Sequence, residues 1–372
     1  MDNQPNDLHP RPGKRPGQKF KSLLVIQYLL KNADDENAVT MNDILSHLAK
    51  YGIEADRRSV YRDIHDLMEL LNTELQEEDR IPERERMGYE IVFTRRPTKN
   101  SSTGGYLVTQ RPYEFDELRL LTECVNSARF LSETQARNLR STISCLCSRE
   151  QAKLLNTESL VVNRAKTVNK SVIASITTIN QAMRHGNQIS FKYLSYSFSN
   201  MYSQVERRPG AITIVNPFKT LINEGFFYLL TYNGKKVITY RIDRMKEVRE
   251  LSTPREFEKE FRENVNMENY TRRVFSMFGG QREKVTIRFL DLRLDTVVDQ
   301  FGTTGVKYEK VDEKHFTVQA EVEISDMFYA WVCGFGRRAK ILEPPQVVEG
   351  IRNFINKVSS MYEQEPPQTA LK

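Results

Sequence analysis

Residues Asp56 to Leu71 read D-R-R-S-V-Y-R-D-I-H-D-L-M-E-L-L. At about 100° per residue on a helix, Val60, Ile64, Leu67 and Leu71 fall in one narrow sector. Arg58, Tyr61, Arg62, His65 and Glu69 fall on roughly the opposite side. One face is aliphatic; the other carries two arginines, a tyrosine and a histidine. A helix that enters the DNA major groove needs both, an apolar back to pack on its own domain and long donors to reach phosphates and base edges. An amphipathic surface helix of any kind shows an apolar stripe, so the flanking sequence decides between the two readings.

Upstream, Gln18 to Lys31 has a helical stripe of Phe20, Leu23, Leu24, Ile26, Leu29 and Leu30. The run V-T-M-N-D-I-L-S-H-L-A-K-Y-G follows, with Thr40 and Asp43 spaced as a capping pair and Gly52 as a stop. Asp56 then caps the helix quoted above. Three helices with a tight turn between the last two is the helix-turn-helix plan. Downstream, residues 72–83 form an acidic, polar surface connection. Met87 to Thr94 and Gly105 to Thr109 read as strands joined by R-R-P-T-K-N-S-S-T-G. A hairpin directly after such a helix is a wing, and its tip holds Arg95, Arg96 and Lys99. The predicted DNA-contacting set is therefore Arg57, Arg58, Ser59, Tyr61, Arg62 and His65 on the helix, with Arg95, Arg96 and Lys99 on the wing. The domain spans 18–112. Residues 1–17, rich in Pro and Gly and lacking an apolar cluster, read as a disordered basic arm.

The chain has 372 residues, 39% hydrophobic and 28% charged, which suits a soluble multidomain protein. No stretch reaches the roughly 18 apolar residues of a membrane span, and the N-terminal stretch has no apolar signal core, so the expectation is cytoplasmic. Cys124, Cys145, Cys147 and Cys333 are too few for a disulfide framework. The net charge of +6 is unevenly spread. Residues 170–255 hold 13 basic and 5 acidic groups, net +8, whereas 1–100 and 256–372 are each net −2. A local basic field of that kind points to an anionic partner.

Residues 113–169 are helical and serve as a linker. The texture then turns to short strands, at 189–193, 211–215, 220–222, 226–232 and 237–241, with turns at Gly225 and at Asn233-Gly234. Five such strands suggest a small barrel over 170–255. After a linker at 256–282, residues 283–362 read strand, helix, strand, strand, helix, strand, helix, an α+β sandwich of the ferredoxin-like sort. Residues 363–372 are a tail. The fold class expected is thus α+β multidomain.

The residues Phe227-Tyr228-Leu229 stand between Val215-Asn216-Pro217-Phe218 and Tyr240-Arg241-Ile242-Asp243-Arg244-Met245. This set resembles the WYL domain of bacterial transcription regulators, with Phe227 in place of the usual Trp and with the family's R-x-D-R-I/M pattern intact. Trp331 to Gly336 followed by Ile341-Leu342-Glu343-Pro344 is similar to the extension that often follows a WYL domain. The segment Gly105 to Leu139 resembles the linker of these regulators. The resemblance implies an Sm-like barrel that binds a nucleic acid or nucleotide effector and alters DNA binding by the winged helix. It carries Tyr228, Arg241 and Arg244 over as effector residues. The basic excess adds Arg207, Arg208 and Lys192. Arginines hold phosphate with a two-point fork and a tyrosine stacks on a base.

No H-E-x-x-H, G-x-S-x-G, G-x-x-x-x-G-K-[ST] or G-x-G-x-x-G motif is present, and His9, His47, His65, His185 and His315 are scattered. The expectation is no enzyme, no cofactor and no metal. The leading reading is an effector-responsive DNA-binding regulator, a repressor by family base rate. It acts as a homodimer on double-stranded operator DNA. The alternative is a nucleic-acid-binding accessory protein that modulates another protein or a defence system without an operator of its own.

Overall fold

The computed structural model describes residues 18–72, 88–157, 166–198, 200–265, 270–275, 277 and 279–363. The basic arm 1–17, most of the acidic connection 72–83 and nearly all of the tail lie outside the described residues. Backbone contacts divide the chain into two units. One is Met1–Arg129 with Glu133–Ala165; the other is Phe130–Ser132 with Lys166–Lys372.

In the first unit, α1 (Lys21–Asn32), α2 (Met41–Lys50) and α3 (Arg57–Leu71) share a core with the hairpin β1 (Glu90–Thr94) and β2 (Gly105–Gln110). Thr40 and Asp43 close a full capping box on α2. Asp56 accepts the Ser59 N–H at 2.9 Å at the start of α3. Val60 and Ile64 are fully buried against Val25, Leu29, Ile44 and Leu48. The stripe chosen from the sequence is therefore the packed face. The hairpin pairs Ile91 with Val108 and Thr94 with Gly105. Its turn needs glycine: Gly104 has φ +73, and a Cβ there would lie 2.1 Å from the Thr94 carbonyl oxygen. Among the described residues the unit holds three further helices, α4 (Phe115–Ser127), α5 (Glu133–Ser144) and α6 (Arg149–Thr157).

The second unit begins with α7 (Val172–His185), which stops at Gly186 in the left-handed region. Seven strands follow: β3 (Asn187–Ser197), β4 (Asn200–Glu206), β5 (Thr213–Val215), β6 (Pro217–Asn223), β7 (Phe226–Tyr232), β8 (Val237–Arg241) and β9 (Met245–Pro254). They do not close into the expected barrel. Among the described residues they form two sheets, β4-β3-β5 with β9 also on β3, and β6-β7-β8. The ladder breaks at two places. Asn216 is buried between β5 and β6, where its side chain accepts from Gln188 and from the Glu256 N–H, both at 3.0 Å. A 3-10 turn at Ile242–Arg244 separates β8 from β9. The strands β4 and β9 have polar, charged sequences without clean alternation, which hid them in the sequence.

After α8 (Glu258–Asn264) and α9 (Tyr270–Arg273) comes a four-stranded antiparallel sheet. Its strands are β10 (Gln281–Leu290), β11 (Lys307–Lys310), β12 (His315–Ile324) and β13 (Ala339–Glu343), in the order β11-β12-β10-β13. The helices α10 (Leu294–Phe301), α11 (Asp326–Cys333) and α12 (Pro345–Glu363) alternate with them in the chain. Val285, Ile287 and Phe289 alternate into a core with Phe301, Val318 and Phe328, all fully buried or nearly so.

Candidate functional site

Two surfaces carry the chemistry, one in each unit. On α3 the face opposite the core is open: Arg58, Arg62 and His65 are exposed and Tyr61 is 46% exposed. His65 lies 3.3 Å from Glu69 one turn on. His65, Asp66 and Glu69 bring ligand atoms within 4.8 Å of one another, all of them exposed. Asp66 and Glu69 thus share the exposed side of this helix with its basic residues, so the surface is of mixed charge.

Not every residue predicted for this face points away from the protein. Arg57 donates from Nη2 to the Asn42 side chain on α2. The Ser59 hydroxyl accepts from Lys21 Nζ, and Lys21 is buried and paired with Asp63 at 2.9 Å. On the wing, Arg95 and Arg96 are exposed. Lys99 is held back at 2.9 Å by Glu36, which raises its pKa through hydrogen bonding and charge. The Asn100 side chain bonds both the N–H and the carbonyl of Ala38, at 2.8 and 2.9 Å. The tip is thus pinned to the 36–38 segment. The structure leaves Arg58, Tyr61, Arg62, Arg95 and Arg96 open, sets His65 beside Glu69, and engages Arg57, Ser59 and Lys99 within the domain.

The second unit holds a cavity of about 780 Å³. Four of the residues expected at the effector site line it: Tyr228, Arg241, Arg244 and Arg207. Tyr228 on β7 and Arg241 at the end of β8 are register partners. Arg244 follows from the 3-10 turn, so both arginines reach one space although they lie three apart in sequence. Arg241 is fixed from several sides. Its Nε and Nη2 donate to the two Asp243 carboxylate oxygens at 3.1 and 2.7 Å, and its Cζ sits 3.4 Å from the centre of the Phe226 ring. Its backbone N–H donates to the Tyr193 hydroxyl at 3.2 Å. Arg244 contrasts with it: its Nε is buried and meets no acceptor among the described residues. Burial pushes the Tyr228 phenol above its usual range, and the Arg241 charge pulls it back in part.

The sequence did not single out the rest of the lining. Lys235, Lys236, Arg273 and Arg282 also line the cavity, as do Tyr193, Tyr232 and Tyr270. Among the described residues, seven cationic side chains thus meet one carboxylate, Glu323. Arg273 is 5% exposed, and its pKa is lowered by burial and then by the Arg282 charge. Charges of one sign gathered in a concave site attract the opposite sign. The Lys235-Lys236 pair was visible after the Asn233-Gly234 turn. Arg273 and Arg282 were hidden because 256–372 sums to a net negative charge. Lys192 is not on the cavity; it pairs with Glu206 and Glu247, both at 3.2 Å. Arg208 is exposed and also lies off the cavity wall.

Residues 174–250 match the model of the WYL domain, and 281–358 match that of the WCX domain. The chain therefore carries both domains, and the cavity takes residues from each and from the segment between them. No curated protein sequence matches the chain. Among solved structures it is similar to proteasome accessory factor B/C (PafBC) of Arthrobacter aurescens. That match has 13% identity and a TM-score of 0.27, and covers 98% of this chain and 52% of that one. The chain thus spans about half the length of PafBC. A CRISPR Cas-related protein matches at 13% identity and a TM-score of 0.33, over 93% of this chain and 84% of that one. No described helix is long and apolar enough to cross a membrane.

Proposed function

We propose that the protein is a DNA-binding transcription regulator whose WYL domain senses a nucleic acid or nucleotide. Residues 18–112 act as a winged helix on double-stranded DNA, with Arg58, Tyr61, Arg62 and His65 toward the groove and Arg95 and Arg96 toward the backbone. The cavity takes the effector through phosphate contacts and base stacking. The regulator works as a homodimeric repressor in the cytoplasm, because one recognition helix covers only a short site and twofold pairing doubles it.

The observation that carries this reading is the presence of two separate anion-directed surfaces on one chain. One is the open donor face of α3, whose back buries Val60 and Ile64; the other is a cavity with seven cations and one carboxylate among the described residues. The test is a gel shift at fixed salt with DNA from upstream of the protein's own gene, with and without short single-stranded oligonucleotides. Sequence-specific retardation that the oligonucleotide changes supports the regulator. Retardation that is equal for all sequences and vanishes with salt supports the accessory-protein reading instead.

A further inference from the structure

Among the described residues, Glu323 is the one acidic side chain on the wall of a cavity otherwise suited to anions. A carboxylate there repels phosphate and attracts cations and hydrogen-bond donors, the Arg273 charge of the protein among them. The structure holds it deliberately in place. Its Oε2 accepts the Gly280 N–H at 3.0 Å. A Cβ on Gly279 would come within 2.9 Å of that same oxygen, and a Cβ on Gly280 within 1.8 Å of the Ile324 carbonyl oxygen. Backbone therefore excludes any side chain at 280, whereas at 279 the Glu323 carboxylate would have to move aside.

Arg282 is the register partner of Glu323 across β10 and β12. Directly opposed residues of an antiparallel pair have Cβ atoms about 4.5–5.5 Å apart. Arg282 and Glu323 nevertheless form no ion pair among the described residues. The cavity thus presents, side by side, a guanidinium fork and a carboxylate that keep their hydrogen-bonding capacity for an occupant. Oε1 has no protein donor among the described residues, and Oε2 retains a second lone pair beside the Gly280 bond.

We propose that this pair reads guanine, so that the effector is a guanine-bearing nucleotide or short single strand; this rests on the nucleic-acid reading of the cavity. Guanine alone among the bases places two N–H donors, on N1 and N2, next to each other, which suits a carboxylate. It also presents the O6 and N7 acceptors that arginine takes with a two-point contact. Thymine and uracil offer one N–H flanked by two carbonyl oxygens, which the Glu323 charge repels. Other cations of the cavity wall, Arg207 and Arg244 among them, take the phosphates, while the Tyr228 ring offers a stacking surface.

The test uses the full-length protein, the dinucleotides pGpG, pApA, pCpC and pTpT, and isothermal titration at one low salt concentration. Wild type is expected to bind pGpG about tenfold or more tighter than pTpT, the discrimination of one good two-point contact. Glu323→Gln keeps an acceptor for the Gly280 N–H and removes the charge. It is expected to weaken pGpG and to strengthen pTpT, opposite movements that general damage to the fold would not produce. Arg282→Ala is expected to weaken pGpG more than pTpT. Equal affinity of wild type for all four dinucleotides overturns the guanine assignment and leaves the nucleic-acid reading standing. No binding of any of them overturns both.

Discussion

Arg241 grips Asp243 through two hydrogen bonds, at 3.1 and 2.7 Å, and Asp243 is 1% exposed. The motif that recommended Arg241 as an effector residue therefore also closes a buried ion pair in the second unit. Removing one partner of such a pair leaves an uncompensated buried charge and costs about 3–5 kcal/mol. Arg241→Ala is expected to lower the urea unfolding free energy by that order. Arg241→Lys is expected to recover only part of it, because an ammonium cannot make the two-point contact or lie flat on Phe226. An unfolding curve of Arg241→Ala that overlays wild type would show that Asp243 finds another partner.

Arg244 is the cleaner probe of the cavity. Its Nε is buried without an acceptor, so the ligand-free protein gains little from it. Arg244→Ala is expected to leave the thermal midpoint unchanged or higher. It is also expected to weaken oligonucleotide binding and to reduce the slope of log affinity against log salt by about 0.7, the value for one lost phosphate contact on a single strand. Titration at four salt concentrations measures the slope; an unaltered slope would place Arg244 away from phosphate.

The first unit was legible in the sequence because local rules decide it. Caps at Thr40 and Asp56, a 3.6-residue stripe at Val60 and Ile64, and Gly104 at the turn each act within a few residues. Which donors on α3 stay open was not legible, since Arg57 and Ser59 are captured by Asn42 and Lys21, residues distant in sequence. The cavity was half legible. Tyr228, Arg241 and Arg244 came from a motif, whereas Arg273, Arg282 and Glu323 join them only through the packing of segments tens of residues away. The sheets escaped the barrel expectation because the chain at Asn216 and at Ile242–Arg244 is held by tertiary hydrogen bonds, from Gln188 to Asn216 and from Asn169 to the Asp243 and Met245 carbonyls, which alternation does not reveal.

Arg62 stands on the open face of α3 and takes no part in the core made by Val60 and Ile64. Arg62→Ala is expected to weaken binding to a specific DNA site by about 1–3 kcal/mol if it reads a base. The thermal midpoint should barely move, since an exposed substitution away from caps and cores changes stability by about 0.5 kcal/mol or less. Ile64→Ala is the counterpart: at 1% exposure it is expected to cost about 2–5 kcal/mol in stability. Fluorescence anisotropy on one DNA duplex, run beside thermal melts of both variants, separates the two faces.

Asp56 ties the start of α3 to pH. Its carboxylate accepts the Ser59 N–H at 2.9 Å, and that backbone bond above all holds its pKa below the usual carboxylate range. A carboxyl whose folded pKa is depressed contributes fully above its unfolded value, near 3.9. The contribution is lost as pH falls through the lower folded value. The first turn of α3, which carries Arg58, is therefore expected to lose protection as pH drops below about 4. Asparagine caps about as well as aspartate and does not titrate. Asp56→Asn is accordingly expected to flatten the pH dependence of amide exchange at Ser59 and Val60 without abolishing protection. The check is exchange of those two amides between about pH 3 and 6, with the intrinsic pH dependence of exchange divided out. The same profile in wild type and Asp56→Asn would mean that the cap's charge contributes nothing to holding the helix start.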